Sequence, residues 1–162
     1  MGILRFSVTN HNAALILSGA HVTPVQFKRL MTLFGDGESL FDVILTEREA
    51  IEKVTGKEKY EIIKSNCTEE YVEYNLAKYE KSGIRLISVF DGEYPERLRH
   101  SEGSPYMLYC RGDTGLLDAE DTIAVCGTRS CTTYGRRVAE DFVNAFSLAG
   151  MVTVCGASEG IE

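Results

Sequence analysis

No stretch of this chain approaches the roughly 18 uninterrupted apolar residues that a membrane helix requires. The opening MGILRFSVTNHNAALILSGA is a poor secretory signal, because Asn10, His11 and Asn12 interrupt a brief apolar run. A cytoplasmic protein with no membrane association is the expectation. There is no C-x-x-C pair, and the cysteines number five, an odd count that does not suggest a disulfide framework. Three of them lie in or beside apolar segments, which predicts buried, reduced thiols. The three histidines, His11, His21 and His100, are scattered, so the ligand spacing of a metal site is absent. Basic charge is also short. Lys and Arg total 17 against 24 Asp and Glu, a net charge of −7. That disfavours coating nucleic acid by bulk charge and leaves room only for a local basic site. The chain has no G-x-G-x-x-G, no run of three glycines and no P-loop lysine, so the standard nucleotide loops are missing.

What is present suits a globular protein: 162 residues, 44% hydrophobic and 25% charged. Residues 1–82 read as about five short helices. Asn12 is placed to cap a helix over Ala13 to Leu17, and Thr23-Pro24 to start another, since Thr suits the cap and Pro the first helical position. Val25, Phe27, Leu30, Met31 and Phe34 then form one apolar face. Leu40, Phe41, Ile44 and Leu45 form a second. Thr46 and Glu49 have the spacing of a capping box, and Thr68 is placed to cap a longer helix closed by Gly83. Leu17 to Pro24 has the outline of a helix-hairpin-helix without its second glycine. A compact helical packing module is the other reading of this half.

The pattern changes at residue 83. Ile84, Leu86, Ile87 and Val89 are β-branched or aliphatic at strand length, and Tyr106 to Cys110 is a second strand candidate. Tyr94 and Tyr109 read as packing residues. The stretch that organises the second half is Thr122 to Glu140, TIAVCGTRSCTTYGRRVAE. It reads as a short strand, a tight turn at Gly127-Thr128-Arg129, and a helix starting near Thr133. Backbone N–H groups and a helix start of this kind can hold an anion. Arg129 sits in the turn, and Arg136 and Arg137 lie in the first helical turns, where cations oppose the helix dipole. Arg129 has the alternative of pairing with Asp121, and Tyr134 is placed either to stack on a base or to pack on the sheet. Met151 to Cys155 is the next strand and ends in a glycine turn at Gly156. The β-α-β unit predicts parallel strands, with both glycine turns at their carboxyl ends, the edge where open α/β sheets bind ligands. A lone unit of this kind leaves sheet faces uncovered. The chain therefore reads as a fragment or truncated product of a longer α/β protein.

The ordered set of features resembles the DNA-processing protein A (DprA, or Smf) family. It comprises Leu33-Phe34-Gly35, Ser82-Gly83-Ile84, Tyr94-Pro95-x-x-Leu98 and Pro105-x-x-Leu108-Tyr109-x-x-Gly112. After these come Val125-x-Gly127-Thr128-Arg129, Tyr134-Gly135, Ala149-Gly150 and the tail from Cys155 to Glu162. The resemblance implies an α/β protein with a small sterile-alpha-motif-like helical domain, residues 1–82. An incomplete extended Rossmann-like parallel sheet follows, residues 83–162. It implies single-stranded DNA binding without catalysis or cofactor, loading of the RecA recombinase in natural transformation, and homodimerisation. Arg129 transfers as a DNA-contacting residue, and Gly127 and Thr128 as the phosphate turn. With Arg136 and Gly156 these are the expected phosphate-binding residues. The tail departs from the family's S-G-x-A-x-G-I-D: Cys155 replaces serine, Glu159 stands where a basic residue is common, and Glu162 replaces aspartate. Two other readings stand beside this one: a nucleotide-binding enzyme of the phosphoribohydrolase type, and a truncated helical interaction module.

Overall fold

The computed structural model describes residues 8–161; the expectations for Met1 to Ser7 and for Glu162 lie outside them. The chain divides into two compact units, the first ending at Gly112 and the second beginning at Asp113. Among the described residues of the first unit, six helices come before any strand: α1 (Asn10–Gly19), α2 (Pro24–Phe34), α3 (Gly37–Asp42), α4 (Arg48–Thr55), α5 (Lys57–Asn66) and α6 (Glu69–Lys81). Helix α1 is the centre of the packing. Ala13, Ala14, Leu15, Ile16 and Leu17 are all buried. A helix that is apolar all round belongs inside a ring of others. Leu30 of α2, Leu40 of α3, Ile51 of α4, Tyr60 and Ile63 of α5 and Val72 of α6 complete the core.

Capping decides where these helices begin. Thr23 accepts from the Gln26 N–H while the Gln26 side chain returns to the Thr23 N–H, a full capping box with Pro24 at the first position. Thr68 caps α6 through the Tyr71 N–H as expected. Helix α1 starts earlier than its sequence suggests. Thr9 accepts from the Asn12 N–H, so Thr9 is the cap and Asn12 lies inside the helix. Asn10 turns outward and accepts from the Gly37 N–H at 2.7 Å, holding the start of α3. The expected capping box at Thr46 does not form. The Thr46 hydroxyl donates to the Val43 carbonyl, and α4 begins after Glu47 with no side-chain cap. Val25 and Leu45 also leave the apolar faces assigned to them, at 58% and 61% exposure.

The hairpin at Leu17 to Pro24 has no main-chain amide to offer a phosphate. The N–H groups of Ala20, His21 and Val22 donate to the Ile16, Ser18 and Leu17 carbonyls, and that of Thr23 to the Gln26 side chain. Lys59 Nζ is bound to the His21 carbonyl at 2.6 Å. The turn is a packing element.

Strands β1 (Arg85–Ser88) and β2 (Met107–Cys110) pair antiparallel, Arg85 opposite Cys110 and Ser88 opposite Met107, with α7 (Glu96–Arg99) between them. The composition changes at residue 83, yet the first unit runs on to Gly112. Tyr106 and Met107 belong to the helical core, and the Tyr106 hydroxyl donates to the Val22 carbonyl at 2.8 Å. Tyr94 is buried, whereas Tyr109 is partly exposed and bonded to the Ser18 hydroxyl at 2.8 Å. The turn after β1 is tied to α1 by His11 Nδ1 and Asp91 Oδ2, 2.7 Å apart. Burial works against the Asp91 charge. The Ser88 N–H and the His11 ring outweigh it, so the carboxyl titrates below the ordinary aspartate value.

The second unit holds a short 3-10 turn (Thr114–Asp118), β3 (Thr122–Ala124), α8 (Thr133–Leu148) and β4 (Val152–Val154). β3 and β4 are parallel, Thr122 opposite Val152 and Ala124 opposite Val154. This is the β-α-β unit expected from the glycine turns. None of its described residues is buried. The cysteines are unpaired as expected, but less buried than expected. All five are free, Cys126 and Cys155 are exposed, and Cys67, Cys110 and Cys131 are half-buried. Burial pushes the Cys67 and Cys110 thiols up. Among the described residues no helix is long and apolar enough to cross a membrane, and no cluster of metal-ligating side chains forms.

Candidate functional site

The site is built where β3 and β4 end. The strand ladder continues one residue past β3, with the Val125 N–H donating to the Val154 carbonyl at 2.9 Å. Beyond it the chain leaves the sheet through Cys126 and Gly127 and reaches α8 by way of Thr128 to Thr132. Two side chains shape this loop. Thr128 Oγ1 accepts from the Ser130 N–H at 3.3 Å, closing a small turn. Thr132 Oγ1 accepts from the Gly135 N–H at 3.0 Å and caps α8. The Thr133 and Tyr134 amides, at the first two helical positions, have no intrahelical acceptor and face the loop as donors.

The loop after β4 closes onto this turn. The Ile161 N–H donates to the Thr128 carbonyl at 3.3 Å. Two glycines make the approach possible. A Cβ on Gly127 would lie 2.6 Å from the Ile161 Cβ, and one on Gly160 would lie 2.2 Å from the Thr128 carbonyl oxygen. Gly160 also has φ +109°, which side-chain-bearing residues rarely adopt. The sequence pointed to Gly156 as the glycine of this second loop. Gly156 lies just past β4, and the positive-φ positions of this loop are instead Ala157, φ 52°, and Gly160. Gly160 was legible only as one glycine of a turn-rich tail, because nothing local marks which carbonyl it must pass.

The expected residues are therefore partly gathered. Gly127, Thr128 and Arg129 form one turn, held from the other loop by Gly160 and Ile161. Arg129 is exposed and makes no ion pair among the described residues, so the alternative pairing with Asp121 does not form. Arg136 has a different neighbourhood. Its Nη2 lies 3.9 Å from the Cys131 sulfur, and it lines a groove of about 370 Å³ with Glu140, Asn144, Cys155 and Ile161. Tyr134 does not pack on the sheet; it is 78% exposed at the start of α8. Glu159 is exposed and makes no ion pair with Arg129.

Parallel strands joined by a helix, with two glycine loops meeting at their carboxyl ends, define the ligand-binding edge of a Rossmann-like α/β protein. The family model for DNA recombination-mediator protein A matches residues 85–162. It is 33% identical over 87 residues to the DNA processing protein DprA of Bacillus subtilis (strain 168), covering 54% of this chain and 29% of that protein. The fold is that of the X-ray structure of DNA processing protein A (DprA) from Streptococcus pneumoniae. The TM-score is 0.63 at 23% identity, over 96% of this chain and 52% of that one. The chain thus spans about half the length of the solved relative and less of the curated one.

Proposed function

We propose that the protein acts in DNA processing during recombination by holding single-stranded DNA through its phosphates, without catalysis or cofactor. On this reading the Gly127–Arg129 turn and the start of α8 take a phosphate, Arg136 and the Gly156 loop flank it, and the bound strand is passed to the RecA recombinase. Homodimerisation and a cytoplasmic role in natural transformation belong to the same reading. One observation carries it. Arg129 is an exposed guanidinium with no ion pair among the described residues, set in a glycine turn at the start of α8, on a chain whose net charge is −7. The match of residues 85–162 to the DNA recombination-mediator protein family model and the similarity to the Bacillus DNA processing protein support it.

The test is binding of oligo-dT to the full-length gene product and to its Arg129→Ala variant over a salt series. Loss of one phosphate contact flattens the slope of log K against log salt by about 0.7 on a single strand. Affinity falls with it, least at high salt. A slope and affinity equal to those of the unsubstituted protein would remove Arg129 from the site. Incubation with nucleoside monophosphates separates the enzyme reading: release of free base would establish catalysis, and none is expected.

A further inference from the structure

The first unit carries a groove outside the residues proposed to hold DNA. It has a volume of about 660 Å³ and runs between α2 and the segment from Val89 to Tyr106. Phe27, Met31, Leu98 and Tyr106 line it, and Lys28 and Arg29 stand exposed on its α2 wall. The polar groups of the lining are largely spent. The Tyr94 hydroxyl donates to the Pro105 carbonyl and the Tyr106 hydroxyl to that of Val22. Arg99 is bound to the Val89 and Asp91 carbonyls and to Glu96. Phe27 and Tyr106 stack on one another, ring centroids 4.0 Å apart. What the groove offers an occupant is an apolar floor and two cations. Arg29 is distinctive here. Arg48, Arg85, Arg99 and Arg111 of the same unit are held by carboxylates or carbonyls, and Arg97 is engaged as well. Arg29 has no such partner among the described residues.

We propose that this groove docks an acidic amphipathic peptide segment of a partner protein. Apolar side chains of the peptide rest on the floor and its carboxylates meet Lys28 and Arg29. Charge complementarity selects the acidic partner, because the cations flank apolar surface on one wall while Glu102 is the lining's acid. A nucleic acid fits less well. A base in the groove would need hydrogen-bond partners for its edge, and the lining tyrosine hydroxyls and Arg99 are already bonded. Helix-in-groove and extended-peptide recognition both use this combination of apolar anchor and charged rim.

The probe is a short synthetic peptide of glutamate, leucine and phenylalanine, titrated into the isotope-labelled protein and followed by NMR. A matched peptide with lysine for glutamate, and oligo-dT, are titrated alongside. The expected result is shifts confined to the groove, with no binding of the lysine peptide. Affinity should fall roughly tenfold or more in the Lys28→Glu, Arg29→Glu double variant. Both side chains are exposed, so the variant keeps the fold, and Lys28→Arg retains binding. Arg129→Ala leaves peptide binding intact, which separates this inference from the DNA site. Shifts elsewhere, equal affinity for the lysine peptide, or no effect of charge reversal would overturn it. Displacement of the peptide by oligo-dT from the groove would assign the surface to nucleic acid instead. A change of self-association on charge reversal would assign it to a second copy of the chain.

Discussion

Gly160 and Gly156 differ in backbone conformation. At Gly160 the backbone has φ +109° and a Cβ would press into the Thr128 carbonyl and the Arg129 backbone at 2.2–2.7 Å. Alanine there is strained by roughly 1–3 kcal/mol from conformation alone, before the clash. The neighbouring atoms are backbone, which does not swing aside as a side chain would. Gly156 is not among the positive-φ glycines, and alanine there keeps the amide that a phosphate would use. Gly160→Ala is therefore expected to part the two loops and to weaken oligo-dT binding at least as much as Arg129→Ala does. Gly156→Ala should stay within a few-fold of the unsubstituted protein. Both are read by fluorescence anisotropy, with the first unit's thermal unfolding as a control that should not move. Unchanged binding in Gly160→Ala would mean that the loop contact does not shape the proposed phosphate-binding turn.

At the level of single helices, two threonines with similar sequence surroundings have opposite roles. Thr23 closes a reciprocal capping box at the start of α2. Thr46 donates to the Val43 carbonyl and caps nothing. Removing a working cap costs about 1 kcal/mol. Thr23→Ala should lower stability by that amount in urea unfolding, and Thr46→Ala by clearly less. Equal losses would show that Thr46 acts as a cap in solution. The same contrast explains what could be read before the fold was known. Thr23-Pro24, Thr68 and the run of helices were legible because caps and apolar spacing are local. The parallel pairing of β3 and β4 was legible because a strand–helix–strand order leaves few topologies. The Asn12 and Thr46 assignments failed because a neighbouring group competed for the same hydrogen bond. Thr9 supplied the α1 cap, and the Val43 carbonyl took the Thr46 hydroxyl. The role of Gly160 depends on a carbonyl some thirty residues away, which no local pattern encodes. Exposure at Val25, Leu45 and Tyr134 likewise follows from tertiary surroundings that periodicity averages over.

The two units differ in how they are held together. The first has a continuous core around α1, in which Leu15, Ile16, Leu17, Leu30, Leu40, Ile51, Tyr60 and Ile63 are at most 1% exposed. Among the described residues of the second, none is buried; Phe142 remains 58% exposed and Leu148 90%. A two-stranded parallel sheet with one helix buries little apolar area, and area removed from water is the main favourable term in folding. Backbone ordering opposes it by roughly 1–2 kcal/mol per residue. The second unit should therefore open locally at low free energy while the first resists opening up to its global stability. Native-state hydrogen exchange on the 162-residue chain tests this directly. Amides of α1, α2 and α5 should exchange slowest. Those of α8, although it is the longest helix at 16 residues, should exchange faster by orders of magnitude. A chain ending at Gly112 should keep the cooperative thermal transition of the longer one. Protection in α8 equal to that in α1 would mean that helix length, and not burial, sets local stability here. It would also mean that the Gly127–Arg129 turn is rigid before any ligand binds.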